Sequence, residues 1–159
     1  KINLNTNYLN KIGTTWSNLI EDTTWKVSGH TADGVTPKAM YTAEITNATK
    51  TYGPSNGTSK IGLMYASDYG FAASPSAWTT EMGHYSQVNW MYMGLREWTM
   101  APLSAIGYTV FYVHYDGTLP SRGNASNGYG VRPVLYLKAS VLYAGGAGTQ
   151  SSPITLKLS

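Results

Sequence analysis

The side chains able to do acid–base or nucleophilic chemistry are few in this sequence and far apart. There are three histidines, His30, His84 and His114, and eight carboxylates. A hydrolytic centre needs a nucleophile, a base and an orienting group within hydrogen-bond reach. No Gly-x-Ser-x-Gly elbow presents a serine. Cysteine is absent, which removes thiolate nucleophiles, thiolate metal sites and disulfides together. Glu81 and His84 stand three apart, as partners on a helix face do, but Met82-Gly83 between them disfavours a stable helix. Their spacing reads as coincidence. His114 lies between Val113 and Tyr115 and reads as a hydrogen-bonded strand histidine. No Asp-x-Asp-x-Asp loop offers calcium ligands, and Asp22, Asp33, Asp68 and Asp116 are widely separated. The expectation is a non-enzyme with no metal and no cofactor.

The chemistry that is well supplied is aromatic. The chain has 13 Tyr and 5 Trp against only 2 Phe. Tyr and Trp join an apolar face to a polar edge, which suits sugar stacking, protein interfaces and half-buried sheets alike. Residues 108–115, Tyr-Thr-Val-Phe-Tyr-Val-His-Tyr, carry the strongest strand signal. Alternation puts Tyr108, Val110, Tyr112 and His114 on one face and Thr109, Phe111, Val113 and Tyr115 on the other. The second set is more apolar and is expected inward. The first face, with Arg122, Asn124, Asn127 and Tyr129 of the following loop, is the candidate binding surface. Trp16, Trp25 and Trp98 are expected in the core, Trp98 behind the strand at 130–137. Arg132 is expected to satisfy loop carbonyls or a carboxylate.

The elements that must position these residues follow from pattern. Residues 7–20 place Leu9, Ile12, Trp16, Leu19 and Ile20 on one helical face, with Asn7 as N-cap and Gly13 as a weak point. Strands are expected at 23–27, 60–66, 130–139 and 154–158, and Asp116-Gly117 as a turn. Residues 28–59, with Pro37 and Pro54, read as a long loop with one helical turn near 39–45. Residues 68–88 read as irregular. Pro102 suits an edge or a strand end. There is no internal repeat and no linker, so 1–159 is expected to be one domain.

Charged residues make up only 12% of the chain, so solubility rests on Ser, Thr, Asn, Gly and Tyr. That balance points to a secreted or surface protein. The net charge of +3 arises from few carboxylates and scattered Lys and Arg. No basic stripe exists for phosphate backbones, and nucleic acid is not an expected partner. No apolar run is long enough to cross a bilayer. No leader pattern opens the sequence, which reads as a mature or trimmed product.

The C-terminal half runs Glu97-Trp98-Thr99-Met100-Ala101-Pro102, then residues 108–117, then Gly130-Val131-Arg132-Pro133-Val134-Leu135-Tyr136-Leu137. This resembles an uncharacterised domain family of Gram-positive surface proteins. The N-terminal half adds Trp16-Ser17-Asn18-Leu19-Ile20, Thr24-Trp25-Lys26-Val27 and residues 61–70, and with the tail 145–149 near Ser152-Pro153 it resembles Gram-positive pilin-like proteins. The resemblance implies an α+β, β-rich, C-type-lectin-like fold with an N-terminal helix and a twisted, mainly antiparallel sheet. It implies a non-catalytic, surface-displayed, adhesin-like domain that takes a glycan or protein ligand. The second reading is a pilin-like filament subunit or head domain that contacts copies of itself. Membrane attachment would then run only through an N-terminal anchor missing here. The Glu-Pro-Asn, Gln-Pro-Asp and Trp-Asn-Asp motifs of calcium-dependent lectins are absent, and formylglycine-generating relatives of that fold work through cysteines, also absent. Gram-positive pilins often join Lys to Asn beside a carboxylate in an apolar setting, and Lys26 and Lys138 sit in strand-like, aromatic contexts, but a packed stem with a solvated amine is the expectation.

Overall fold

The computed structural model describes residues 3–46, 50–53, 59–85, 89–120 and 122–159. Pro54 and the stretches 54–58 and 86–88 of the expected irregular regions lie outside the described residues. The elements run α1 (Leu9–Ser17), β1 (Trp25–Val27), α2 (Pro37–Thr46), β2 (Lys50–Tyr52), β3 (Ile61–Leu63), α3 (Ala66–Phe71), β4 (Glu97–Pro102), β5 (Thr109–Val113), β6 (Gly123–Asn124), β7 (Gly130–Val131), β8 (Pro133–Leu135), β9 (Val141–Gly145) and β10 (Thr155–Leu158). The fold mixes helix and sheet, with a short N-terminal helix and a curled, mainly antiparallel sheet.

Four strands in the order β6-β5-β4-β7 form the central sheet, antiparallel except where β7 joins β4. Burial alternates along β4 and β5, as a sheet with one covered face requires. Glu97, Thr99, Ala101, Thr109, Phe111 and Val113 point inward. Ala101, Phe111 and Val113 join Met64, Tyr69, Met82 and Leu119 in the main core. Tyr115 departs from the expectation: β5 ends at Val113, and Tyr115 is 55% exposed in the turn beyond it. A second, small cluster joins Leu9, Ile20 and Ile61. Trp25 is buried as expected, its indole donating to the Ser59 carbonyl at 2.7 Å and stacking on Tyr136.

The N-terminal helix differs from its periodicity. A π-helical segment at Asn3–Tyr8 precedes α1, and Asn7 lies inside it, donating from its amide to Asn3 Oδ1 instead of capping. Gly13 takes φ 80° and ψ 167°, breaking the helix in two. That break shifts the phase of everything after it. Trp16, expected in the core, therefore stands 56% exposed.

The expected single turn at 39–45 is a full helix, α2. Thr36-Pro37 starts it: the Thr36 hydroxyl accepts from the Ala39 amide, and Pro37 needs no donor at the first helical position. Part of the stretch expected to be irregular is α3. Its first amides donate to a carboxylate distant in sequence: Glu44 Oε1 accepts from Ala66 at 2.9 Å and Ser67 at 3.3 Å, and Oε2 from the Ser67 hydroxyl at 2.5 Å. The expected strand at 130–139 is two strands in different sheets, β7 on β4 and β8 on β3. Arg132 between them turns to Glu97 and the Met91 carbonyl, and Pro133 brings no ladder donor. The β9–β10 hairpin closes the described chain, and no residue of either strand is buried.

Candidate functional site

The outward face of the central sheet carries an aromatic cluster that the strand register assembles. Trp98 on β4 is the cross-strand partner of Tyr112 on β5, so two inward neighbours, Glu97 and Phe111, force both rings outward together. Tyr129, just before β7, lies against both. Its ring stacks on Trp98 at 4.5 Å and tilts over Tyr112 at 4.9 Å. Trp98 and Tyr112 meet edge-on at 6.0 Å. Trp98, expected behind the 130–137 strand in the core, is thus half-buried on the opposite face. Gly123 makes the close fit possible: a Cβ there would sit 2.6 Å from the Trp98 ring and 2.7 Å from Tyr112.

His114 continues the row, with its ring 6.0 Å from Tyr112 and 3.9 Å from Tyr115. Its Nδ1 is 2.9 Å from Asp116 Oδ1 and its Nε2 is 3.3 Å from an Arg96 guanidinium nitrogen. Arginine only donates, so Nε2 is the acceptor and the proton of the neutral ring sits on Nδ1, pointing at Asp116. Partial burial works against ionisation of Asp116. Hydrogen bonds from the Thr118 hydroxyl and amide and from His114 outweigh it and hold this carboxyl at about 2. The second imidazole nitrogen therefore faces a cation and not a hydroxyl nucleophile.

Arg96 lies across this row. Its guanidinium carbon is 5.2 Å from the Tyr115 ring centre and 5.6 Å from that of Tyr129, within cation–π range. Tyr92 anchors the neighbouring loop by donating to the Tyr115 carbonyl at 2.6 Å. Together Gly94, Leu95, Arg96, Tyr115, Gly128, Tyr129 and Gly130 line an open basin of about 570 Å³, within the size range of ligand sites. A different groove, of about 400 Å³, runs between β1, β3 and β4 past Trp25, Ile61 and Met100. No charged side chain lines it; Ser59 and Thr99 are its only polar side chains, and the buried Ser59 hydroxyl has no hydrogen-bond partner among the described residues.

Of the residues expected to form the binding surface, Tyr112, His114 and Tyr129 come together, and Asn127 joins them by donating to the Tyr129 hydroxyl at 3.0 Å. Tyr108, 65% exposed, lies at the other end of the strand, about 20 Å from His114 at a strand's usual rise. Asn124 caps its own turn, accepting from the Ser126 amide and hydroxyl. Arg122 forks onto Asp33 at 2.9 and 2.7 Å, away from the rings. Arg96, Trp98 and Tyr115 belong to the site without having been expected there. Inward Glu97 and Phe111 would have revealed Trp98; nothing local marks Arg96.

Arg132 behaves as expected, pairing with buried Glu97 at 2.6 Å and donating to the Met91 carbonyl. Among the described residues Lys26 meets no asparagine side chain, and its amine donates to the Ile45 carbonyl at 3.3 Å. Among the described residues, no group of three His, Asp or Glu side chains is placed to hold a metal ion. No described helix is long and apolar enough to cross a membrane. Comparison with family models, with curated proteins and with solved structures returned no match to this chain.

Proposed function

We propose that this chain is a non-catalytic binding domain of C-type-lectin-like fold, displayed on a cell surface or secreted. The ligand, a glycan or a protein segment, docks on the outer face of the central sheet. One observation carries the reading: Trp98, Tyr112 and Tyr129 build a ring platform that ends in an open basin roofed by Arg96 and Tyr115. Such rings supply contact area at low entropic cost, and the basin's three glycines leave backbone groups accessible. A ring platform beside fixed donors is the arrangement that recognises sugars and tyrosine-rich interfaces alike. The low charge content supports an extracellular setting. A screen of immobilised glycans and peptides tests this reading, with Tyr115→Ala as control. Tyr115 is exposed, so the variant should fold normally and lose the captured ligand. Equal capture by the variant removes this face from the account.

A second reading, a self-associating structural subunit, is favoured by the C-terminal hairpin. Leu142, Tyr143, Leu156 and Leu158 are all exposed on it, and a lone two-stranded hairpin is marginal in water. The same chain offers an apolar groove of about 550 Å³ lined by Tyr8, Ile12, Trp16, Ile20, Leu135 and Leu137. The occupant is the hairpin of a second copy. Its one charged side chain, Lys157, would meet the exposed Glu21 and Asp22 that follow Ile20. Sedimentation from micromolar to millimolar concentration decides it. Association lost in Leu156→Lys supports this reading; a monomer throughout rules it out.

A further inference from the structure

The chain has three arginines, and two of them are neutralised in pairs. Arg122 forks onto Asp33, and Arg132 onto buried Glu97. Arg96 is different. Among the described residues its guanidinium has no carboxylate within ion-pair distance, and the one hydrogen-bond partner of that guanidinium is the imidazole of His114. The guanidinium carries five donors, so four remain for a ligand or for water. It is also held in place: its central carbon lies over the Tyr115 and Tyr129 rings, and one nitrogen meets the His114 imidazole. A planar fork fixed before the ligand arrives loses little entropy on binding, and its geometry matches the two oxygens of a carboxylate.

The surroundings leave this charge available. Asp116 is turned to His114 and Thr118, and Glu97 lies beneath the sheet on Arg132. Gly128 lines the basin, takes no left-handed backbone angle, and a Cβ added to it would meet nothing within 4 Å. Neither packing nor backbone conformation demands a glycine there. Its bare position keeps the floor of the basin open beside the Tyr129 ring, where a pyranose face can lie flat.

Resting on the reading that this face binds ligand, we propose that the basin takes a glycan bearing a carboxylate, as in a uronic or sialic acid. Arg96 holds the carboxylate, and the sugar ring lies in the open space at Gly128, beside the Tyr129 ring. A sugar is favoured over an acidic peptide because the residues lining the basin include no second cation for an acidic run.

The experiment is calorimetric titration of the whole chain with methyl glucuronoside and methyl sialoside, each against its neutral methyl ester, and with an Asp/Glu-rich peptide. The acids should bind, and the esters should bind roughly tenfold or more weakly, the scale of a charge-assisted hydrogen bond. Arg96→Gln should erase the acid–ester difference while leaving the circular dichroism unchanged, and Gly128→Leu should remove sugar binding altogether. Equal binding of acid and ester overturns the carboxylate assignment but leaves the binding face standing. Binding of the peptide and neither sugar overturns the glycan assignment. Absence of binding by every probe overturns the acidic-glycan assignment, and no loss of the screened ligand in Gly128→Leu overturns the binding face as well.

Discussion

Glu44 gives the fold a pH dependence opposite in sign to ordinary acid denaturation. Its carboxyl is fully buried between α2 and α3, and burial pushes it up to about 7 despite hydrogen bonds from Ser67 and Ala66. In the unfolded chain it returns to the usual value of 4.5. Below that pH both states are protonated and the group contributes nothing. Between 4.5 and 7 the unfolded chain gives up the proton while the native chain keeps it, so stability falls as pH rises. Above 7 the cost levels off at about 3 kcal/mol, from a shift near 2.5 units at about 1.4 kcal/mol each. Glu44→Gln removes the proton and keeps the shape: the amide oxygen accepts from the Ala66 and Ser67 amides, and the NH2 donates to the Ser67 hydroxyl. Urea denaturation followed by tryptophan fluorescence from pH 4 to 9 reads both proteins. The variant should gain on wild type by up to about 3 kcal/mol at pH 8 and match it near pH 4. Because Asp68 and the other acids titrate in both proteins, the difference isolates Glu44. Parallel stability curves across this range would refute the reasoning, since Glu44 would then be ionised in the fold at no cost.

Glu97→Ala leaves Arg132 half-buried without its counter-charge, and chemical denaturation should show a loss of about 3–5 kcal/mol. Gly123→Val drives a side chain into the Trp98 and Tyr112 rings; it should cost about 1–3 kcal/mol and shift the tryptophan emission. Arg122→Ala breaks an exposed ion pair that solvent screens, so its melting temperature should hardly move, and ligand capture should be unchanged. Leu156→Lys should leave the melting temperature unaltered, because Leu156 is 40% exposed in a hairpin with no buried residue.

Where the chain's own pattern decided a residue's place, the sequence was readable. Thr109, Phe111 and Val113 are inward because period-two alternation leaves a strand no other choice once one face is covered. Trp25 and Arg132 likewise stand where their types suggested. Legibility failed where a single distant or local event overrode the pattern. Gly13 resets the helical phase and turns Trp16 out. Glu44 starts α3 from 22 residues away, a contact no window around Ala66 contains. Trp98 was misplaced for another reason. Large indoles are usually core, but the inward position beside it was taken by Glu97, held there by Arg132. Arg96 carried no signal at all, since its meaning lies in rings from two other segments.

The most direct test of the binding face is amide chemical-shift mapping of the labelled protein during titration with a sialylated and a uronic-acid-containing oligosaccharide. Shifts should concentrate at residues 94–96, 112–116 and 128–130, with the indole signal of Trp98 among them. Sugar-induced shifts confined to the 141–158 hairpin would contradict the binding face.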